Sequence, residues 1–242
     1  MGIYYRKIFN SIICFYVSVI TTVMIIFFVY YDAYGNNMST MLRDQSAKAE
    51  RYAEENKTAE YGRTVFFGDS ITECCDLDKY YPEIETYNRG ISGDTTKGML
   101  NRVENNVINI RPSTIVFLGG TNDLGHGSSP QTVADNIDKI LEKIYTALPK
   151  CKVIVQSVYP VNPYKKPPFL NAVKNRKNSD ILIVNSLLPD ICQKYNAKFL
   201  DIHRLLVDSE GNLDKDFTMD GLHINDKGYK IISKTIKQYL NI

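Results

Sequence analysis

The chain has 242 residues, a formal net charge of +2 and 44% hydrophobic residues. That suffices for one ordinary domain plus an appendage, with a sizeable core. The near-neutral balance, with no polybasic stretch interleaved with aromatics, argues against a nucleic-acid partner. The five cysteines, Cys14, Cys74, Cys75, Cys151 and Cys192, fit no zinc spacing, and an odd count fits no disulfide framework. They read as small buried apolar residues.

A short tail, residues 1–7, carries Arg6 and Lys7. Residues 8–31 then hold no charge and are dominated by Ile, Val, Phe, Tyr and Met. As a helix this stretch would reach about 36 Å, against a hydrocarbon core of about 30 Å. Tyr30 and Tyr31 fall where an interfacial aromatic belt is expected, and Arg6 and Lys7 favour the N-terminus inside. The run is longer than a signal-peptide core and no small-x-small cleavage site follows it. The expectation is therefore an uncleaved transmembrane helix that makes the membrane a partner and holds the remainder on the extracellular side of the cell membrane. Residues 32–61 are polar and mixed in charge, which reads as a partly helical stalk.

From residue 62 the pattern alternates. Strands are expected at 64–68, 84–89, 113–118, 152–158 and 197–201, and helices at 95–109, 131–148, 179–195 and 226–240. Ile115-Val116-Phe117-Leu118 and Val153-Ile154-Val155 are continuous apolar runs, as in parallel strands buried on both faces. Repeated βα units of this length imply one five-stranded parallel sheet with helices on both sides, over 62–242.

In such a sheet the working residues gather beyond the carboxyl ends of the strands. The first strand, Thr64-Val65-Phe66-Phe67, runs into Gly68-Asp69-Ser70, placing Ser70 where a helix over 71–80 begins. A lone serine there reads most simply as a helix cap. Three other strand ends carry matching chemistry: Asn88-Arg89-Gly90-Ile91-Ser92-Gly93-Asp94, Gly119-Gly120-Thr121-Asn122-Asp123, and the last loop, Asp220-Gly221-Leu222-His223. These parts suit acyl transfer. His223 can take the Ser70 proton and Asp220 can turn back onto the imidazole. The backbone N–H groups of Ser70 and Gly90 and the Asn122 side chain can face an oxyanion. Asp69 reads as a turn-holding residue, Arg89 and Asp94 as a salt-bridged loop, and His126 and His203 as surface or loop residues. Residues 159–177, rich in Tyr, Pro and Lys and including Lys174 and Arg176, read as a cationic, aromatic lip or as a solvated loop.

In order and wording, these four segments resemble the GDSL-type, or SGNH, serine hydrolases over essentially all of 62–242. The segment Asn88 to Thr96 is most similar to the branch of platelet-activating-factor acetylhydrolase subunits and carbohydrate acetylesterases. The resemblance implies a flavodoxin-like three-layer α/β/α fold and an esterase without metal or cofactor. It implies Ser70 as nucleophile, His223 as base, Asp220 as its orienter, and Ser70, Gly90 and Asn122 as the oxyanion hole. The expected substrate is a small, short-chain acyl ester, chiefly acetyl, on carbohydrate or lipid. An O-acyltransferase acting on cell-surface polysaccharide would use the same residues. A non-catalytic binding module would be expected to lack one of them, and a phosphate binder would not place Asp69 and Glu73 around its first loop.

Overall fold

The computed structural model describes residues 16, 19, 20, 22–24, 39–163 and 172–242. Contacts divide the chain into two units, Met1–Ser46 and Ala47–Ile242. In the first, the described residues are helical. The expected transmembrane helix over 8–31 falls mostly outside the described residues, and among those described no helix is long and apolar enough to cross a membrane.

The second unit holds a sheet of five parallel strands: β1 (Thr64–Gly68), β2 (Thr86–Gly90), β3 (Thr114–Leu118), β4 (Lys152–Gln156) and β5 (Lys198–Leu200), in the order β2-β1-β3-β4-β5. All five overlap the expected strand regions, with ends shifted by a residue or two. The helices of this unit are α1 (47–55), α2 (Ser70–Glu73), α3 (Leu77–Tyr80), α4 (Thr96–Asn106), α5 (Thr121–Gly125), α6 (Pro130–Ala147), α7 (Asn178–Lys194), α8 (His203–Leu206) and α9 (Asp226–Leu240). The single helix expected over 71–80 is instead the two short ones, α2 and α3.

Alternation along the strands builds two cores. Val65, Phe67, Ile115, Phe117, Val153 and Val155 pack against α4, α6 and α7. Phe66, Val116, Leu118, Ile154 and Leu200 face the other way, against α3, α8 and α9. Both faces are covered, which is why these strands read as unbroken apolar runs. The long helices follow sequence cues. Ser129 caps α6 with Pro130 in its first turn, and Asn225 caps α9 by accepting from the Gly228 N–H.

The expected stalk over 32–61 does not describe residues 47–61, which are packed into the second unit. Tyr52 is buried and its hydroxyl donates to the Gly90 carbonyl at 2.9 Å. Asn106 Nδ2 donates to the Ala49 carbonyl at 2.9 Å, and Arg89 donates to Asn56 Oδ1 at 2.8 Å. Lys48 pairs with Glu73. Ala49, Tyr52, Ala53 and Asn56 sit at i, i+3, i+4 and i+7, one face of a helix. That face carries a single large apolar residue and so escapes a hydrophobicity reading.

The strand order reverses between β1 and β3, each of which ends at the same level, Gly68 opposite Leu118. A crevice opens at such a switch point. Ser70 follows β1 and Asn122 follows β3, so topology alone brings both to its mouth.

Candidate active site

Ser70 is the first residue of α2, and the cap is its neighbour: Asp69 Oδ1 accepts the Ile71 N–H at 2.9 Å. This frees the Ser70 hydroxyl from capping and leaves its N–H among the donors a helix start does not satisfy internally. Ser70 Oγ lies 3.1 Å from His223 Nε2, and His223 Nδ1 lies 2.6 Å from Asp220 Oδ2.

The loop that carries the last two residues is self-organised. Asp220 Oδ1 accepts the backbone N–H groups of Leu222 (2.9 Å) and His223 (2.8 Å), which leaves Oδ2 for the ring. Gly221 sits at φ +83°, where a side chain would be strained. Thr218 Oγ1 accepts the Gly221 N–H at 2.9 Å and donates to the His223 carbonyl at 2.7 Å. Burial pushes the Asp220 carboxyl up, but the hydrogen bonds from the His223 ring and from the His223 and Leu222 N–H groups outweigh it and hold the group below its ordinary value. An ionised carboxylate only accepts, so Nδ1 carries the ring proton and Nε2 offers its lone pair to the Ser70 hydroxyl.

Asn122 lies in α5, behind Gly120, whose φ of +117° makes the turn out of β3. Its Nδ2 donates to the Asp94 carbonyl at 2.9 Å, and its Oδ1 accepts from Arg176 Nη2 at 2.8 Å. Asp123 holds the start of α4, accepting the Thr96 N–H (2.9 Å) and Oγ1–H (2.6 Å).

Gly90 sits otherwise than expected: its N–H already donates to Asn88 Oδ1 at 2.9 Å. Glycine is required there for another reason: a Cβ would lie 2.2 Å from the Glu73 backbone nitrogen, so Gly90 lets β2 approach α2. Gly93, three residues on, has φ +75°, and among the described residues its N–H meets no acceptor. Asp94, the next residue, is the one whose carbonyl receives Asn122.

Several residues were missed by sequence reasoning or read differently. Arg102, on the buried face of α4, donates to Asp94 Oδ2 (2.7 Å), the Arg89 carbonyl (2.9 Å) and the Gly68 carbonyl (2.9 Å), fixing the loop after β2. Arg89 and Asp94 are indeed paired within the protein, with Glu55 and Arg102. Within the expected lip, Tyr159 and Arg176 turn inward and are buried, whereas Lys174 and Lys177 are exposed and residues 164–171 lie outside the described set. His203 is buried rather than superficial. Cys74 is exposed and Cys75 half-buried, contrary to the buried reading, while Cys151 and Cys192 are buried.

Asp69 is wholly buried and its Oδ2 has no partner among the described residues. Burial pushes its carboxyl up to about 7, against the pull of the Ile71 N–H; Asp94 raises it further, while Arg176 and His223 favour the charged form.

A nucleophile-base-carboxylate chain at the switch point of a parallel sheet narrows the comparison to known hydrolases. Residues 66–231 match the model of the GDSL-like Lipase/Acylhydrolase family. The chain belongs to that family. It is a serine ester hydrolase. The hydrolase is 33% identical over 181 residues to platelet-activating factor acetylhydrolase IB subunit alpha2 of Rattus norvegicus, covering 73% of this chain and 75% of that one. It is 28% identical over 196 residues to subunit alpha1 of Bos taurus, covering 78% and 79%. Among solved structures, it is similar to a GDSL-like lipase from Bacteroides thetaiotaomicron, with a TM-score of 0.70, 28% identity and coverage of 80% and 97%. An acetyl-xylooligosaccharide esterase variant from Geobacillus shares the fold at a TM-score of 0.58 and 17% identity, covering 76% and 96%.

Proposed function

We propose that the hydrolase removes short acyl groups, acetyl foremost, from alcohol esters of carbohydrate or lipid through an acyl-enzyme on Ser70. The observation that carries this reading is the unbroken chain Ser70 Oγ to His223 Nε2 (3.1 Å) and His223 Nδ1 to Asp220 Oδ2 (2.6 Å). His223 Nε2 takes the hydroxyl proton as Ser70 Oγ attacks the ester carbonyl. Asp220, held ionised, stabilises the imidazolium and fixes its orientation. The tetrahedral oxyanion is met by the Ser70 N–H, the remaining Asn122 Nδ2–H and the Gly93 N–H, which takes the place expected of Gly90. One such donor is typically worth about 10²–10³ in kcat. The imidazolium then gives its proton to the departing alcohol. Water, deprotonated by the same His223, attacks the acyl-Ser70 and releases the acid.

The acetyl preference draws support from relatives whose names specify acetylhydrolases. The uncharged run 8–31 supports a tether that holds the domain at an outer membrane surface, where resistance to alkaline carbonate extraction is the expected behaviour. The substrate class is tested with p-nitrophenyl acetate, butyrate and decanoate, with Ser70→Ala as control. Turnover should fall as the acyl chain lengthens and vanish in Ser70→Ala. Faster turnover of decanoate would point to a lipase and overturn the acetyl assignment.

A further inference from the structure

Arg176 stands just before α7, at the end of the long connection from β4, yet it is only 7% exposed. Its guanidinium is engaged on all three nitrogens. Nε donates to the Thr121 carbonyl (2.9 Å) and hydroxyl (3.0 Å), Nη1 to the carbonyls of Ala172 (3.1 Å) and Val173 (3.2 Å), and Nη2 to Asn122 Oδ1 (2.8 Å). Room for it is left by Gly125, where a Cβ would lie 2.6 Å from the Arg176 Cζ.

The consequence falls on Asn122. A carboxamide has a donating end and an accepting end that are nearly equal in shape. A guanidinium can only donate and a backbone carbonyl can only accept. Arg176 on one side and the Asp94 carbonyl on the other therefore permit a single orientation of the Asn122 amide. In that orientation one Nδ2–H is spent on Asp94 and one remains. Without Arg176, a single hydrogen bond would hold the amide, and Oδ1 would be buried without its charged donor.

We propose that Arg176 is a positioning residue for ester hydrolysis, locking the Asn122 carboxamide so that its remaining N–H serves the oxyanion. This rests on the oxyanion role given to Asn122 above. It also ties the β4–α7 connection to catalysis through an anchor inside the protein.

The test uses the full chain and p-nitrophenyl acetate, measuring kcat, KM and melting temperature. Asn122→Ala should lower kcat by about 10²–10³. Arg176→Ala should lower kcat about tenfold, as for loss of a charged hydrogen bond, with KM within about twofold. Arg176→Lys should not rescue it, because a point charge cannot span the three sets of acceptors. In the Asn122→Ala background, adding Arg176→Ala should cost less than about twofold, since coupled residues are non-additive. Gly125→Ala keeps the arginine but displaces its head, and should lower kcat in the same direction even if Arg176→Ala folds poorly. An equal loss from Arg176→Ala in both backgrounds, or an unchanged kcat in Gly125→Ala, would overturn the proposal. A wild-type kcat in Asn122→Ala would instead overturn the oxyanion role beneath it.

Discussion

Residues 47–61 should be indispensable to the stability of the hydrolase domain, and Tyr52 concentrates the effect. Its ring is buried, lies 4.7 Å from the Arg89 guanidinium, and its hydroxyl donates to the Gly90 carbonyl at 2.9 Å. Truncating a buried aromatic to Ala costs about 3–5 kcal/mol, whereas Tyr52→Phe forfeits only the hydrogen bond, about 1 kcal/mol. Against a typical domain stability of about 5–15 kcal/mol the first is a large fraction. With a mid-range urea dependence of about 2 kcal/mol per molar, Tyr52→Ala should lower the unfolding midpoint by about 1.5–2.5 M, and Tyr52→Phe by about 0.5 M. A fragment 62–242 loses Tyr52 and also removes Glu55 and Asn56 from the buried Arg89. It should be at least as unstable as Tyr52→Ala. The assay is urea unfolding of 47–242, 62–242 and the two Tyr52 variants, followed by circular dichroism. A 62–242 fragment that unfolds at the same midpoint as 47–242 would refute the reasoning.

Asp220→Asn should lower kcat by about 10⁴, because the amide fails to stabilise the imidazolium and its tautomer, and the loss should appear in kcat with p-nitrophenyl acetate rather than in the melting temperature. Asp69 sets an unusual pH dependence. Its folded pKa of about 7 lies above the unfolded carboxylate value, so between about pH 4 and 7 the folded state binds more protons than the unfolded. The contribution of Asp69 to stability therefore declines as pH rises through that window and is flat above it. In Asp69→Asn, whose Oδ1 can still cap α2, the decline should be absent. The difference in unfolding free energy between the variant and the wild type should grow by a few kcal/mol from pH 4 to pH 8; a pH-independent difference would contradict the assignment. Gly90→Ala should show its damage as lost stability, since its Cβ would strike the α2 backbone. The kcat per folded molecule, by active-site titration, should change far less than it does in Asn122→Ala.

What the sequence reveals and conceals follows from the kind of interaction involved. Strands buried on both faces write themselves as apolar runs, so β3 and β4 are plain at Ile115-Val116-Phe117-Leu118 and Val153-Ile154-Val155. Ser70, Asn122 and the Asp220–His223 pair are legible because each follows a strand end or closes the last loop, and the switch point gathers such ends. Which of Gly90 and Gly93 keeps an uncommitted N–H is not legible. Both are glycines of one loop, and the difference turns on whether Asn88 captures an N–H and on which glycine has a positive φ. Arg176 and Arg102 are hidden for a related reason. A buried arginine whose acceptors include groups on remote segments has no periodic or local signature, and Arg176 reads only as part of a cationic lip or solvated loop. The packing of α1 is hidden because the contact face it forms with Asn56 is built from Ala49, Tyr52 and Ala53 rather than from large aliphatic residues.

The central claim is that Ser70 is the nucleophile, made reactive by His223. It is tested most directly by treating the folded chain with a fluorophosphonate and mapping the modified peptide. A stoichiometric adduct on Ser70 is predicted, formed at least 10³-fold more slowly in His223→Ala. An enzyme that hydrolyses acetyl esters while Ser70 remains unmodified, or that carries the adduct on another residue, would contradict it.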